Sequence, residues 1–205
     1  MYLNSLPQDT LKLFQTLSYK DFLSEFYLSG GTALSLQLNH RQSEDLDFFI
    51  QKKFKPEYLL NHLQKIDNCQ QIQIDEGTLN LYLNNVKLQF LYYPYDLLKE
   101  FKKINLINIS SVLDIACTKL ITISSRGSKK DFIDLYFLLK KYSLNKLFKN
   151  LAKKYQKLDY NQIHILKSLT YFEDANKQPD PQMLKSISWS EVKKQIIKTV
   201  KNYPI

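Results

Sequence analysis

Two aspartates separated by one residue, Asp45 and Asp47, open the run Asp45-Leu46-Asp47-Phe48-Phe49-Ile50. The alternation predicts a strand that projects both carboxylates from one face and turns Leu46 and Phe48 to the other. Carboxylates held this close repel each other unless a cation lies between them. Hard oxygen donors suit Mg2+ or Mn2+, bound through one or two carboxylates and completed by substrate phosphate oxygens. A strand that merely starts with two solvated aspartates is the plainer account of the same pair. About 15 residues upstream, Ser29-Gly30-Gly31-Thr32 follows the short apolar run Phe26-Tyr27-Leu28 and precedes a helical pattern reaching Leu38. Glycines at a strand-to-helix turn let backbone N–H groups approach phosphate, and the helix N-terminus adds its dipole. A simple tight turn would use the same residues. Taken together, turn and carboxylates form a unit for a nucleoside triphosphate: the turn holds phosphates and the cation bridges them to an attacking group. Arg41 and Ser43, just before the pair, can hydrogen-bond phosphate oxygens, whereas the role of His40 stays open.

A second group lies at Lys119 and in Arg126-Gly-Ser-Lys-Lys130-Asp131-Phe-Ile-Asp134-Leu-Tyr136. Lys119, Arg126 and Lys130 can neutralise triphosphate charge. Asp131 and Asp134, three apart, share one helix face. Ordinary helix chemistry offers another account. Lys130 and Asp134 make an i,i+4 pair, and Asp131 sits in a first turn, where negative charge is favourable.

The elements that must position these residues are legible in outline. A helix is expected over 8–19, strands over 26–28 and 45–50, and a helix from Pro56 to about Ile66. Strands over 70–75, 78–83 and 86–93 follow, joined by turns at Gly77 and at Asn84-Asn85. From Ser110 the periodicity is helical, near 110–125, 129–141, 144–156, 160–173 and 188–202. The fold class is therefore α+β: a small mixed sheet flanked by helices over 1–108, then a helical region, 109–205, packed on it. Residues 1–108 hold 11 Lys+Arg against 12 Asp+Glu, and 109–205 hold 18 against 8, so the whole net charge of +9 resides in the second half. Such asymmetry marks either a polyanion partner or a solvated lysine-rich surface. No stretch approaches the roughly 18 apolar residues of a membrane span, and no signal peptide is evident, so the expected compartment is the cytoplasm. Cys69 and Cys117 are expected as free buried thiols. No oligomer signal can be read.

The stretch Ser29-Gly-Gly-Thr-Ala-Leu34, with His40-Arg-Gln-Ser43 and Asp45-Leu-Asp-Phe-Phe49, resembles the signature of the AbiEii/AbiGii toxin-like nucleotidyltransferases, within the DNA-polymerase-β-like superfamily. The Lys119, Arg126 and Lys130-Asp131-x-x-Asp134-Leu pattern is similar to the same family's second motif. The resemblance implies a nucleotidyltransferase-type sheet and transfer of a nucleotidyl group from an NTP. It implies Lys130 and Asp131 as site residues, with Asp45 and Asp47 as catalytic metal ligands. Ser29, Gly30, Gly31, Thr32, Arg41, Ser43, Lys119, Arg126 and Asp134 would contact the nucleotide. It further implies the toxin of a toxin–antitoxin or phage-defence pair, an RNA acceptor such as tRNA, and a cognate antitoxin protein. One departure stands out. Polymerase-β-like enzymes take a third carboxylate from a later strand, yet Val86-Lys-Leu-Gln-Phe-Leu91 offers Lys87 and Gln89; its alternation predicts that Gln89 looks toward the site. A non-catalytic nucleotide- or RNA-binding module, or a metal-dependent nuclease, therefore remain competing readings.

Overall fold

The computed structural model describes residues 1–204. The first half contains α1 (Gln8–Leu17), β1 (Tyr27–Leu28), α2 (Gly30–Leu38), β2 (Leu46–Ile50), α3 (Pro56–Leu63), β3 (Cys69–Asp75), β4 (Thr78–Leu83) and β5 (Val86–Tyr92). Two short strands, β6 (Lys102–Ile104) and β7 (Ile107–Ile109), precede the helices α4 (Val112–Arg126), α5 (Lys129–Leu139), α6 (Leu144–Lys154), α7 (Gln162–Ser168), α8 (Glu173–Asn176) and α9 (Trp189–Lys201). Seven strands make one mixed sheet in the order β3-β4-β5-β2-β1-β7-β6. β5 runs parallel to β2 and β7 parallel to β1, and the other neighbours are antiparallel. The sheet is thus α+β and mixed, as the sequence pattern predicts.

Local chemistry accounts for the hairpins. Asn84 and Asn85 both take positive φ, 51° and 62°, as a two-residue turn matched to strand twist requires, and Gly77 turns β3 into β4 at φ 72°. On β2 and β5 the side-chain period of two separates the faces. Leu46, Phe48, Ile50, Leu88 and Phe90 are buried, with the Phe48 and Phe90 rings stacked at 5.2 Å, on the side covered by α1 and α3. Asp47, Phe49, Gln89 and Leu91 alternate with them and look across a cavity toward α4. Among the described residues the buried apolar side chains form one cluster running from Leu6 to Ile196, so both halves of the chain share a core.

Two expectations need correcting. The β6–β7 hairpin is absent from the pattern reading, because three-residue strands are too short to show a period; β7 nevertheless pairs with β1 and spans the 108/109 boundary. The single helix expected over 160–173 is broken between Ser168 and Glu173 into α7 and α8. Cys69 and Cys117 are buried and free, as expected.

Candidate active site

The turn and the carboxylate pair meet as their spacing suggests. Ser29 caps α2, which opens at Gly30 rather than at Thr32. Antiparallel pairing of β1 with β2 brings Ser29 N–H onto the carbonyl of Asp47 at 2.9 Å, so the start of α2 lies beside the aspartates. Gly30 has φ +65°, and a Cβ there would collide with Asp47 Oδ2. A Cβ on Gly31 would lie 2.5 Å from Arg41 Nη2 and 3.2 Å from Ser43 Oγ. Glycine is therefore required twice, once for backbone conformation and once for close approach. Gly30→Ala should cost about 1–3 kcal/mol from the left-handed backbone alone, and should also displace Asp47. Urea unfolding reads the first effect and nucleotidyl transfer the second.

Asp47 leads its strand neighbours on the cavity side, and Asp45 lies one residue before β2; both are half-buried and line the same cavity. Burial pushes the Asp47 carboxyl above the usual carboxylate range. Asp45 adds to this by repulsion, while Lys119, Lys130 and Arg126 partly offset it. A pair strained in this way calls for a cation, and Lys130 Nζ, half exposed, stands 3.7 Å from Asp45 Oδ2.

Behind the cavity wall lies a buried ion cluster. Asp134, fully enclosed, accepts His40 Nε2 and Arg41 Nε on Oδ1, both at 2.7 Å. Its Oδ2 accepts Arg41 Nη2 at 2.9 Å and meets Lys119 Nζ at 2.7 Å. Lys119 also donates to Asp131 Oδ1 at 2.6 Å, and Ser128 Oγ donates to Asp131 Oδ2 at 2.5 Å. Burial would lower the Lys119 ammonium, but Asp134 and Asp131 outweigh it and hold it charged. Burial outweighs Asp134 at His40, whose imidazole is pushed below its usual value and stays neutral.

This cluster corrects three sequence expectations. Asp134 takes no place in the cavity wall, because all its lone pairs face Arg41, Lys119 and His40; it positions the residues that do. The Lys130–Asp134 helix pair does not form, since Asp134 turns inward while Lys130 turns outward to Asp45. Ser29 and Thr32 lie behind the turn. Ser29 Oγ accepts from Ser110 Oγ at 3.0 Å, and Thr32 Oγ1 bonds Ser43 Oγ at 2.9 Å and the Asp45 carbonyl. Both are buried and shape the loop.

The cavity, about 430 Å3, takes Gly30, Gly31, Arg41, Ser43, Asp45 and Asp47 from the first motif. From the second it takes Lys119, Arg126, Lys130 and Asp131, so both motifs converge on one space. Gln89 lines it too, in register with Asp47, as its strand alternation predicts. Motif reading missed the far half: Phe49, Leu91 and Tyr93 from the sheet, and Ile115, Thr118, Ile121, Thr122 and Ser125 from α4. One signal was present. Ile115, Thr118, Thr122 and Arg126 recur at helical spacing about Lys119, on one face of α4.

The chain is similar to several known proteins. An uncharacterized protein of Aquifex aeolicus, aq_aa25, is 38% identical over 186 residues, covering 88% of each chain. MenT4, a nucleotidyltransferase toxin of Mycobacterium tuberculosis, superposes with a TM-score of 0.56 at 15% identity, covering 96% of this chain and 85% of that one. A crystallised H. pylori protein proposed to be a nucleotidyltransferase gives 0.54 at 20% identity, covering 95% and 94%. At such identities the likeness speaks for the fold. The family profile described as nucleotidyl transferase AbiEii toxin, Type IV TA system, matches residues 12–86 and 67–202. With nearly the whole chain inside that match, this protein belongs to the AbiEii family of nucleotidyltransferase toxins.

Proposed function

We propose that this nucleotidyltransferase moves a nucleotidyl group from an NTP to an RNA acceptor, in a reaction that needs Mg2+ or Mn2+. The observation that carries this reading is the cavity itself, where Asp45, Asp47 and the Gly30-Gly31 turn share one space with Arg126 and Lys130. The donors fit the cation. Asp45 and Asp47 supply hard oxygens, and the missing Cβ of Gly30 leaves room beside Asp47 Oδ2. No cluster of three or more metal-ligating side chains occurs among the described residues, so phosphate and water would complete the coordination. When bound, the cation would stabilise phosphate charge as a Lewis acid and hold the NTP against the attacking hydroxyl.

The chain's own groups do the remainder. First-turn amides of α2 donate to phosphate oxygens, whereas the Ser43 hydroxyl, whose hydrogen goes to Thr32 Oγ1, holds the turn in place. Arg126 and Lys130, exposed at the rim, neutralise phosphate charge. The acceptor oxygen attacks the α-phosphorus, the α,β-bridging bond breaks, and pyrophosphate leaves with the electron pair. The acceptor's proton needs a base. Gln89, where a third acid is expected, can hydrogen-bond a hydroxyl but cannot take its proton. Asp131 is the remaining carboxylate on the wall. Burial would raise it, yet Lys119 and Ser128 hold it below the usual range, leaving a weak base. Turnover is therefore slow. Gln89→Glu should raise the transfer rate at fixed Mg2+, on the order of a hundredfold or more for a well-placed base. An unchanged rate would remove Gln89 from the reaction.

The excess of Lys and Arg in 109–205 supports RNA as acceptor, since backbone charge dominates such binding. Membership of a family described as a Type IV toxin–antitoxin system supports a cognate antitoxin protein as partner. An RNA acceptor would be met in the cytoplasm. Among the described residues no helix is long and apolar enough to cross a membrane. Incubating the purified protein with each labelled NTP, Mg2+ and total tRNA tests this. Lengthened, labelled RNA is expected. Shortened RNA would identify a nuclease, and nucleotide binding without transfer a non-catalytic module.

A further inference from the structure

The hydroxyl groups around the far half of the cavity have their hydrogens already committed. Thr118 Oγ1 donates to the Asp114 carbonyl at 3.1 Å, which can only accept. Tyr155 Oη, buried, spends its single hydrogen on Thr118 Oγ1 at 3.2 Å. Tyr93 Oη lies 2.5 Å from Tyr155 Oη and must be the donor of that pair, so it keeps only lone pairs for a ligand. Thr122 and Ser125 donate back to the Thr118 and Thr122 carbonyls, each at 3.0 Å. The cationic donors and the Gln89 amide lie toward Asp45 and Asp47. Gln89 and Tyr93 are four residues apart along one strand direction, roughly 13 Å, which spans the reach from an α-phosphate to the far edge of a base.

Resting on the reading that an NTP binds here, we propose that the slot walled by Phe49, Leu91, Tyr93, Ile115 and Thr118 selects a nucleobase with an amino group at C4 of a pyrimidine or C6 of a purine, cytosine or adenine, over uracil. An amino group offers its hydrogens to Tyr93 Oη and Thr118 Oγ1. Uracil presents one N–H between two keto oxygens, and those oxygens would face lone pairs. A keto oxygen left facing those lone pairs loses the hydrogen bond it had in water.

Binding of CTP, ATP, UTP and inorganic triphosphate to the full chain with Mg2+ tests the proposal. CTP and ATP should bind about tenfold more tightly than UTP, the ratio set by one unmade hydrogen bond. Tyr93→Phe should lower the CTP-to-UTP ratio toward one, the Thr118 Oγ1 lone pair keeping the remainder, and leave inorganic triphosphate affinity unchanged. Thr118→Val gives an independent reading. It frees the Tyr155 hydrogen for Tyr93, whose own hydrogen can then turn to a keto oxygen, so the preference should move toward UTP. A merely structural role for these residues would not move the ratio. Equal or tighter binding of UTP, or an unaltered ratio in both variants, would overturn the proposal while triphosphate binding leaves the NTP reading intact. Failure of triphosphate itself to bind would instead sink the NTP reading, and this inference with it.

Discussion

Replacing Asp134 with alanine should destabilise the fold by about 3–5 kcal/mol, the range expected when one partner of a buried ion pair is removed. The loss falls on two cations at once. Arg41 would keep only the Gln42 carbonyl at 2.9 Å, and Lys119 would keep only Asp131. A domain is typically stable by about 5–15 kcal/mol, so the variant would approach the threshold of folding. Urea unfolding measures it. Lys130→Ala is the contrast: its pair with Asp45 is half exposed at 3.7 Å, so less than about 1 kcal/mol is expected. If the two variants unfolded alike, the buried cluster would not be what holds α2 against α4 and α5.

The same cluster sets the acid limb of stability. Burial alone would raise the Asp134 carboxyl, but Arg41 and then Lys119 outweigh it and hold it well below the usual range. An unfolded aspartate titrates near about 3.9, so the unfolded chain binds this proton first. Stability from Asp134 is therefore complete above that value and falls as pH drops through the lower folded one. His40 acts earlier. Its neutral form is favoured by burial, so stability begins to decline as pH falls through the ordinary histidine value near 6.5. Asp134→Asn should remove the lower limb.

Asp47→Asn should abolish detectable transfer, a loss of at least about a thousandfold, because an amide is a poor ligand for Mg2+ and leaves phosphate charge unbridged. The same change should stabilise the cation-free protein by about 1 kcal/mol near neutral pH. Asp47 is raised by burial and by Asp45, and an uncharged isostere escapes both. Mg2+ should raise the melting temperature of the native chain and leave that of Asp47→Asn unchanged, since only a bound ion shifts stability. Asp45→Ala should likewise end transfer. Transfer surviving in either variant would remove the carboxylate pair from the chemistry.

Much of this site is written locally. The Asp45–Asp47 spacing, the glycine turn before a helix and the alternation of 86–91 each follow from a period of two or 3.6, which neighbouring residues define by themselves. Hence the faces of β2 and β5, and the entry of Gln89 into the cavity, could be read without a structure. The roles of Arg41, His40 and Asp134 could not. His40 and Asp134 are 94 residues apart and touch only because α2 and α5 pack together. A carboxylate in a helical pattern looks the same whether it faces water or two cations. The same limit hid β6 and β7, whose pairing is with β1 across the chain, and the slot beyond Phe49, whose walls are ordinary core residues by type. Sequence determined which groups could do the chemistry. Tertiary packing alone decided which carboxylate meets the cavity and which is enclosed, because burial and charge pairing depend on contacts that no local period encodes.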